Sequence, residues 1–217
     1  AIFSFVIFPI ISIGIGTTEA QGFVSGPPDN KVVVYYSFDN INDVENDDSG
    51  KGLDIDQISG AIQTGNGLHG RNLYFDGDAD FTKTNADPDL NIVEDITISV
   101  WVYYIKPPSS EKRATIVMKQ GNFRLHINSE GNDQVRFESG NANWDFVQSS
   151  SSIPEYEWTH IVATRDGDGS VANSIKIFIN GIRDVQGSIN PDSTPSGGLT
   201  NDMYIGSWKG TKHYFQG

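Results

Sequence analysis

The 217-residue sequence contains no cysteine and few basic residues. Without cysteine the chain can form no disulfide and no thiolate metal site, and it has no cysteine nucleophile. Lys and Arg together number 15 against 28 Asp and Glu, which gives a formal net charge of -13 at pH 7. Because this balance repels a phosphate backbone, nucleic acids are poor candidate partners.

The sequence also lacks any stretch with the 3.6-residue hydrophobic period of an amphipathic helix. It has instead short alternating runs, rich in β-branched and aromatic residues, which are separated by turn residues that include many of its 23 glycines. These patterns predict one all-β domain. Strands are predicted at residues 32–38, 72–75, 81–84, 96–104, 115–119, 123–128, 134–139, 145–148, 158–165, 174–180 and 203–205.

The apolar run at residues 2–15 is too short to cross a bilayer as a helix. Small residues at Thr18 and Ala20 suit signal-peptidase cleavage after Ala20. We therefore predict a signal peptide over 1–20, a linker over 21–30, and a secreted or cell-surface mature domain with no membrane span. A buried strand or an uncleaved anchor is the alternative. Because Ala1 opens the sequence without a methionine or a basic segment, we expect the signal peptide to be truncated at its start.

Two adjacent predicted strands alternate apolar side chains with charged ones. Arg124 and His126 face away from the apolar side of strand 123–128, and Arg136 does so in strand 134–139. Together with the nearby Trp144 and Asp145, these residues are the predicted ligand-binding set, lining a groove on a solvated sheet face. The alternative is an ordinary solvated face with no ligand.

Several motifs resemble the laminin-G-like jelly rolls of the concanavalin A-like lectin/glucanase superfamily. They include YSFD at 36–39, DSGKG at 48–52, GRNLYFDGDAD at 70–80, ITISVWV at 96–102, WTHIVA at 158–163 and IFING at 177–181. The resemblance implies a two-sheet antiparallel jelly-roll β-sandwich over residues 31–217. Family members continue into one last strand after the motif matched here by YFQG at 214–217, so we expect the domain to lack its final strand.

Bulky residues in these motifs suggest roles in packing. Trp101 and Trp158 are large enough to fill the space between two sheets, which are typically about 10 Å apart, so we predict them in the core. His160, beside Trp158, is predicted to be packed or hydrogen-bonded rather than catalytic.

The resemblance also implies a structural calcium ion in the full-length parent protein. Asp39 matches the family's early acidic ligand, and Asp76 is a weaker candidate. Calcium takes about six to eight oxygen ligands, which loop carbonyls and carboxylates supply together.

Catalysis is not expected. Glycosidic hydrolysis uses a pair of carboxyl groups, which glucanases of this superfamily place at alternate positions of one strand. Glu138 stands alone in its strand, and the acidic clusters fall in loops. We therefore predict a non-catalytic binding module that recognises a glycan or an extracellular protein.

Aromatic residues in turn-rich surroundings are the candidates for stacking on a sugar. They are Trp144, Trp208 and Tyr214, and rim packing is the alternative role for each. The competing function is that of a structural or adhesive domain in a larger surface protein, with no small ligand. The sequence predicts no oligomeric state.

Overall fold

The computed structural model describes residues 5–8, 32–68, 70–107, 112–140 and 144–217. These residues form strands almost exclusively, with two single-turn 3₁₀ helices at Pro88–Leu90 and Pro191–Ser193. The strands are β1 (Phe5–Phe8), β2 (Val34–Tyr36), β3 (Gln57–Ser59), β4 (Ile62–Gly67), β5 (Gly70–Tyr74), β6 (Phe81–Thr84), β7 (Ile96–Tyr103), β8 (Ala114–Lys119), β9 (Phe123–Asn128), β10 (Gln134–Gly140), β11 (Trp144–Ser152), β12 (Trp158–Arg165), β13 (Ile175–Ile179), β14 (Ile182–Gly187) and β15 (Met203–Ile205). No helix in these ranges is long and apolar enough to cross a membrane.

Two antiparallel sheets enclose the core, which confirms the predicted all-β sandwich. The six-stranded sheet has the order β14-β13-β12-β7-β1-β2, and the seven-stranded sheet has the order β11-β10-β9-β8-β15-β6-β3. Strands β4 and β5 form a separate hairpin.

Every predicted strand is present, with ends that differ by a few residues. Asn180 and Gly181 have φ values of 50° and 79°, so a left-handed turn joins β13 to β14. The sequence did not predict β1, β3, β4 or β14. In β14 the burial pattern shows no clear alternation, because the strand lies at the edge of the six-stranded sheet.

Strand β1 lies between β2 and β7. It falls within the predicted signal peptide and corresponds to the alternative interpretation of that segment as a strand. Removal of residues 1–20 would therefore also remove the strand between β2 and β7. Cleavage after Ala20 stays a prediction, and Thr18, Ala20 and the linker lie outside the described residues.

The prediction that Trp101 and Trp158 fill the core is wrong. Strand β7 buries Ile96, Ile98, Val100 and Val102, and its alternation therefore turns Trp101 to the outer face. Strand β12 buries alternate residues from Thr159 onward and likewise turns Trp158 to the outer face. The buried core cluster consists mostly of branched aliphatic residues and phenylalanines, with Tyr36, Tyr104 and Met203 but no tryptophan.

His160 is packed and hydrogen-bonded, as expected. Its ring stacks on Trp101, with centroids 4.9 Å apart and an interplanar angle of 20°. Its Nε2 lies 2.8 Å from Ser99 Oγ. Burial lowers the pKa of His160.

A buried cation joins the two sheets at one end of the sandwich. Arg165 of β12 donates from Nη2 to the carbonyl oxygens of Ile92 and Glu94, at 2.7 and 2.8 Å. Its Nη1 donates to Ser139 Oγ of β10, at 3.0 Å. Burial lowers the pKa of Arg165 to about 10, so it remains charged at neutral pH.

Candidate functional site

Strands β9 and β10 hold most of the predicted binding residues on the face away from the core. Leu125 belongs to the core, so its neighbours Arg124 and His126 lie on the outer face of the seven-stranded sheet. The antiparallel register sets Glu138 opposite Arg124 and Arg136 opposite His126. The structure therefore brings Arg124, His126 and Arg136 together.

The centre of this face is buried, whereas the sequence predicted a solvated one. The exposed fraction of Arg124 is 2%, and that of His126 is 0%. Glu138 forms an ion pair with Arg124 Nη2, and its Oε1 lies 3.6 Å from His126 Nε2. The cause of the burial is a later segment of the chain, in which Trp208 lies over the guanidinium of Arg124.

Two tryptophans contact the same guanidinium. The Cζ atom of Arg124 lies 4.0 Å from the ring centroid of Trp208 and 5.5 Å from that of Trp144. Lys212 Nζ lies 5.0 Å from the Trp208 ring. Both rings are partly exposed, so they present flat apolar surface beside positive charge.

Arg136 is held by its neighbours on β10 and β11. Its Nε donates to Gln148 Oε1, and Gln148 Nε2 in turn donates to Gln134 Oε1 at 2.6 Å. Its Cζ lies 4.2 Å from the ring centroid of Phe146, which is 43% exposed. Burial, with the charge of Arg113 adding to it, lowers the pKa of Arg136. The guanidinium is therefore fixed rather than freely rotating.

A pocket of about 430 Å³ opens next to Arg136 and Trp208. We call it the basic pocket, because its lining contains four cations and one carboxylate. These residues are Lys112, Arg113, Arg136, Lys212 and Glu130. The only ion pair recorded between them joins Lys112 Nζ to Glu130 Oε1, at 3.0 Å.

Two imidazoles accompany these cations. Burial, together with the charges of Arg113 and Lys212, lowers the pKa of His213, which lines the basic pocket, to about 4. Burial also lowers the pKa of His126 well below its ordinary value, with Arg124 as the next cause. Both rings are therefore neutral at pH 7, and the positive charge comes from arginine and lysine.

The structure does not bring Asp145 to this surface. In β11 it alternates with Trp144 and Phe146, and its Oδ2 accepts a hydrogen bond from the backbone N–H of Asn190 at 2.9 Å. Tyr214 is also tied locally, because its hydroxyl donates to Gly210 O at 3.0 Å.

The two predicted calcium ligands each bind a backbone N–H. Asp39 Oδ1 accepts from Arg71 N at 2.6 Å, and Asp76 Oδ1 accepts from Asp78 N at 2.7 Å. Within the described residues no three His, Asp or Glu side chains are grouped so as to hold a metal ion. As placed, these residues do not fit a calcium site built on several carboxylates, and calcium binding stays a prediction.

Among the residues of the basic pocket that the sequence did not predict are its four other basic side chains: Lys112, Arg113, Lys212 and His213. The available signal was the occurrence of adjacent basic residues at 112–113 and 212–213 in a strongly acidic chain. The two pairs are about 100 residues apart, and only the fold brings them together.

A second pocket of about 370 Å³ lies near the opposite sheet. Its lining includes Tyr74, Tyr103, Trp158 and Asn66. The rings of Tyr103 and Trp158 are 5.4 Å apart. Among its lining residues there is no charged side chain, which distinguishes it from the basic pocket.

Residues 75–217, more than half of the chain, match the Laminin_G_3 family model of the concanavalin A-like lectin/glucanases superfamily. The chain belongs to this superfamily. The match begins just after β5 and includes every strand that forms the basic pocket. No curated protein sequence gives a significant match.

Two solved structures of the same fold are similar to this member of the superfamily. One is domain 4 of AbnA, an extracellular GH43 arabinanase from Geobacillus stearothermophilus, which was solved in complex with arabinotriose. The two sequences are 21% identical and the TM-score is 0.64. The similarity covers 85% of this chain and 87% of that domain. The other is the receptor binding domain of botulinum neurotoxin mosaic serotype C/D, at 16% identity and a TM-score of 0.55, covering 73% of this chain and 39% of that one. At these identities the likeness concerns the fold.

The carboxylates near the basic pocket are already paired in this superfamily member. Glu138 binds Arg124, and Glu130 binds Lys112. A glycosidase needs one carboxyl group as an acid and another as a nucleophile or base. The basic pocket is lined by a single carboxylate, that of Glu130, rather than by the pair that this mechanism uses.

The buried His126 predicts acid sensitivity. Neither ring nitrogen has a hydrogen-bond partner, and its pKa is lowered in the folded state. As the pH falls below about 6.5, the unfolded chain binds a proton that the folded protein does not, which costs up to about 1.4 kcal/mol per pH unit. We expect His126→Leu to reduce the loss of unfolding free energy between pH 7 and pH 5.

Urea unfolding at both pH values tests this expectation. The difference between the two pH values is compared, rather than the absolute stability, because leucine also changes the packing. At pH 8, well above the ordinary histidine pKa of about 6.5, His126 is neutral in both states, so measurements there provide the baseline. Equal losses in the wild type and in His126→Leu would contradict the prediction.

Proposed function

We propose that this protein is an exported, non-catalytic carbohydrate-binding module. Its ligand would lie on the outer face of the seven-stranded sheet, across Trp144, Phe146 and Trp208, with Arg136 as the main hydrogen-bond donor. The observation that carries the proposal is the fixed guanidinium of Arg136, which lines the basic pocket and has its Cζ 4.2 Å from the centroid of the half-exposed Phe146 ring. The neighbouring fold solved with arabinotriose supports the same ligand class.

Sugars suit this surface for a physical reason. The carbon-bound hydrogens of a pyranose or furanose ring pack on flat aromatic rings, while its hydroxyls need planar donors and acceptors. Phe146 supplies such a ring, and Arg136 and Gln148 supply donors and acceptors beside it. Because their own hydrogen bonds already hold these side chains in place, ligand binding would cost little side-chain conformational entropy.

A glycan array with and without calcium, followed by calorimetry, tests the proposal. We expect saturable binding of an oligosaccharide that weakens at least tenfold in Trp144→Ala and in Phe146→Ala. The matched control is Trp158→Ala, which removes a partly exposed tryptophan from the outer face of the other sheet and should leave the Kd unchanged. The calcium arm shows whether an ion at Asp39 contributes.

Two results would overturn the proposal. Blank arrays with a folded protein would favour a structural or adhesive domain instead. Binding that depends on Trp158 and is indifferent to Trp144 would place the ligand at the second pocket.

A further inference from the structure

We propose that the glycan is acidic and that the basic pocket receives its carboxylate or sulfate group. This inference rests on the proposed function and adds the chemical class of the ligand. It is carried by the concentration of unpaired positive charge at one place in an acidic protein.

The charge distribution is the first argument. The chain has a net charge of -13, and four of its 15 lysines and arginines nevertheless line one pocket. Arg113, Arg136 and Lys212 form no ion pair with any carboxylate of the described ranges. The remaining cation, Lys112, pairs only with Glu130, and both side chains are more than half exposed. Such exposed pairs are weak and can rearrange around a ligand.

Arg124 provides the second argument. It is buried beside the basic pocket, and Glu138 accepts a hydrogen bond from its Nη2 only. Its Nε and Nη1 have no acceptor among the described residues. Buried guanidinium groups normally have their donors satisfied, so this region of the protein has a deficit of oxygen acceptors. An oxyanion in the basic pocket would lower the positive potential to which Arg124 contributes.

The aromatic rings favour a saccharide over a bare oxyanion. Arg136 belongs both to the basic pocket and to the contact with Phe146, so one side chain joins the charged and the apolar parts of the surface. A ligand that uses both has an anionic group attached to a ring with an apolar face. The overall negative charge disfavours densely charged polyanions such as nucleic acids, and it favours a glycan with few acidic groups near the protein.

Calorimetry with three probes tests the inference: a trigalacturonate, a sulfated galactan oligosaccharide and neutral arabinotriose, each at 50 and 300 mM NaCl. We expect at least one acidic probe to bind ten times more tightly than the neutral one, and to weaken with salt. Comparison of the two acidic probes shows whether the group is a carboxylate or a sulfate. Arg113→Gln should weaken acidic binding about tenfold and change neutral binding less than twofold.

Lys51→Gln is the matched control, since it removes one exposed positive charge from a loop that does not line the pocket. Equal losses in Lys51→Gln and Arg113→Gln would overturn the inference, because they would indicate a general effect of net charge. Inorganic sulfate that binds as tightly as the acidic saccharides would also overturn it. Neutral and acidic probes that bind equally, with Trp144 dependence, would refute the acidic ligand and leave the carbohydrate-binding function standing. Failure of all three probes would refute the acidic ligand if the glycan array still showed binding of a neutral saccharide, and blank arrays as well would refute both proposals.

Discussion

Replacing Arg165 by methionine is expected to lower the unfolding free energy by about 2–4 kcal/mol, because several hydrogen-bond acceptors would lose their donor, at about 1–3 kcal/mol for each one that is buried. The side chain is fully buried and donates to the carbonyls of Ile92 and Glu94 and to Ser139 Oγ. Methionine fills a similar volume but donates nothing, so the two part-buried carbonyls and the buried Ser139 hydroxyl would lose their donor. Urea unfolding followed by circular dichroism measures the change.

Two further substitutions make this result interpretable. Arg165→Lys keeps the charge but loses the planar fork, so we expect an intermediate loss of stability. Arg183→Met changes an exposed arginine and should alter the unfolding free energy by no more than about 0.5 kcal/mol. If Arg165→Met had as small an effect as Arg183→Met, Arg165 would not be a structural link between the sheets.

The second large effect is expected from Glu138→Gln. The substitution leaves Arg124 as an uncompensated charge in a buried position, which costs about 3–5 kcal/mol in comparable buried pairs. Burial already lowers the pKa of Arg124 to about 9, with the charges of Arg113 and Arg136 adding to the shift. Without Glu138, these cations would face one another with no anion between them.

The double variant Arg124→Met with Glu138→Leu separates charge from packing. Since it removes both ions, we expect most of the stability lost in Glu138→Gln to return, as measured by thermal and urea unfolding. A double variant as unstable as the single one would show that shape, rather than charge compensation, controls this site.

Local patterns predicted much of the fold and part of the site. The alternation in β7 and β9 gave the correct strands, and it placed Arg124, His126 and Arg136 on one face. The assignment of Trp101 to the core rested on its size, and it was wrong because the other face of β7, with Ile96, Ile98, Val100 and Val102, contacts the second sheet. The two-residue period of a strand shows which side chains share a face. Which of the two faces is buried depends on the side from which the second sheet packs.

The parts of the site that the sequence did not predict depend on contacts between distant segments. Trp208 lies 84 positions after Arg124 and covers it, which turns a predicted solvated face into a buried ion pair. The pocket formed by 112–113 and 212–213 likewise exists only after the sheet has assembled. The alternation of apolar and polar residues within one strand contains no information about contacts between distant segments.

The four tryptophans divide evenly between the two outer surfaces of the sandwich. Trp144 and Trp208 border the guanidinium of Arg124, whereas Trp101 and Trp158 lie on β7 and β12 of the other sheet. If Trp101 and Trp158 were replaced by phenylalanine, tryptophan fluorescence would come only from Trp144 and Trp208, on the side of the basic pocket. A change in intrinsic tryptophan fluorescence in that variant would therefore distinguish a molecule that binds on this surface from one that binds on the opposite surface.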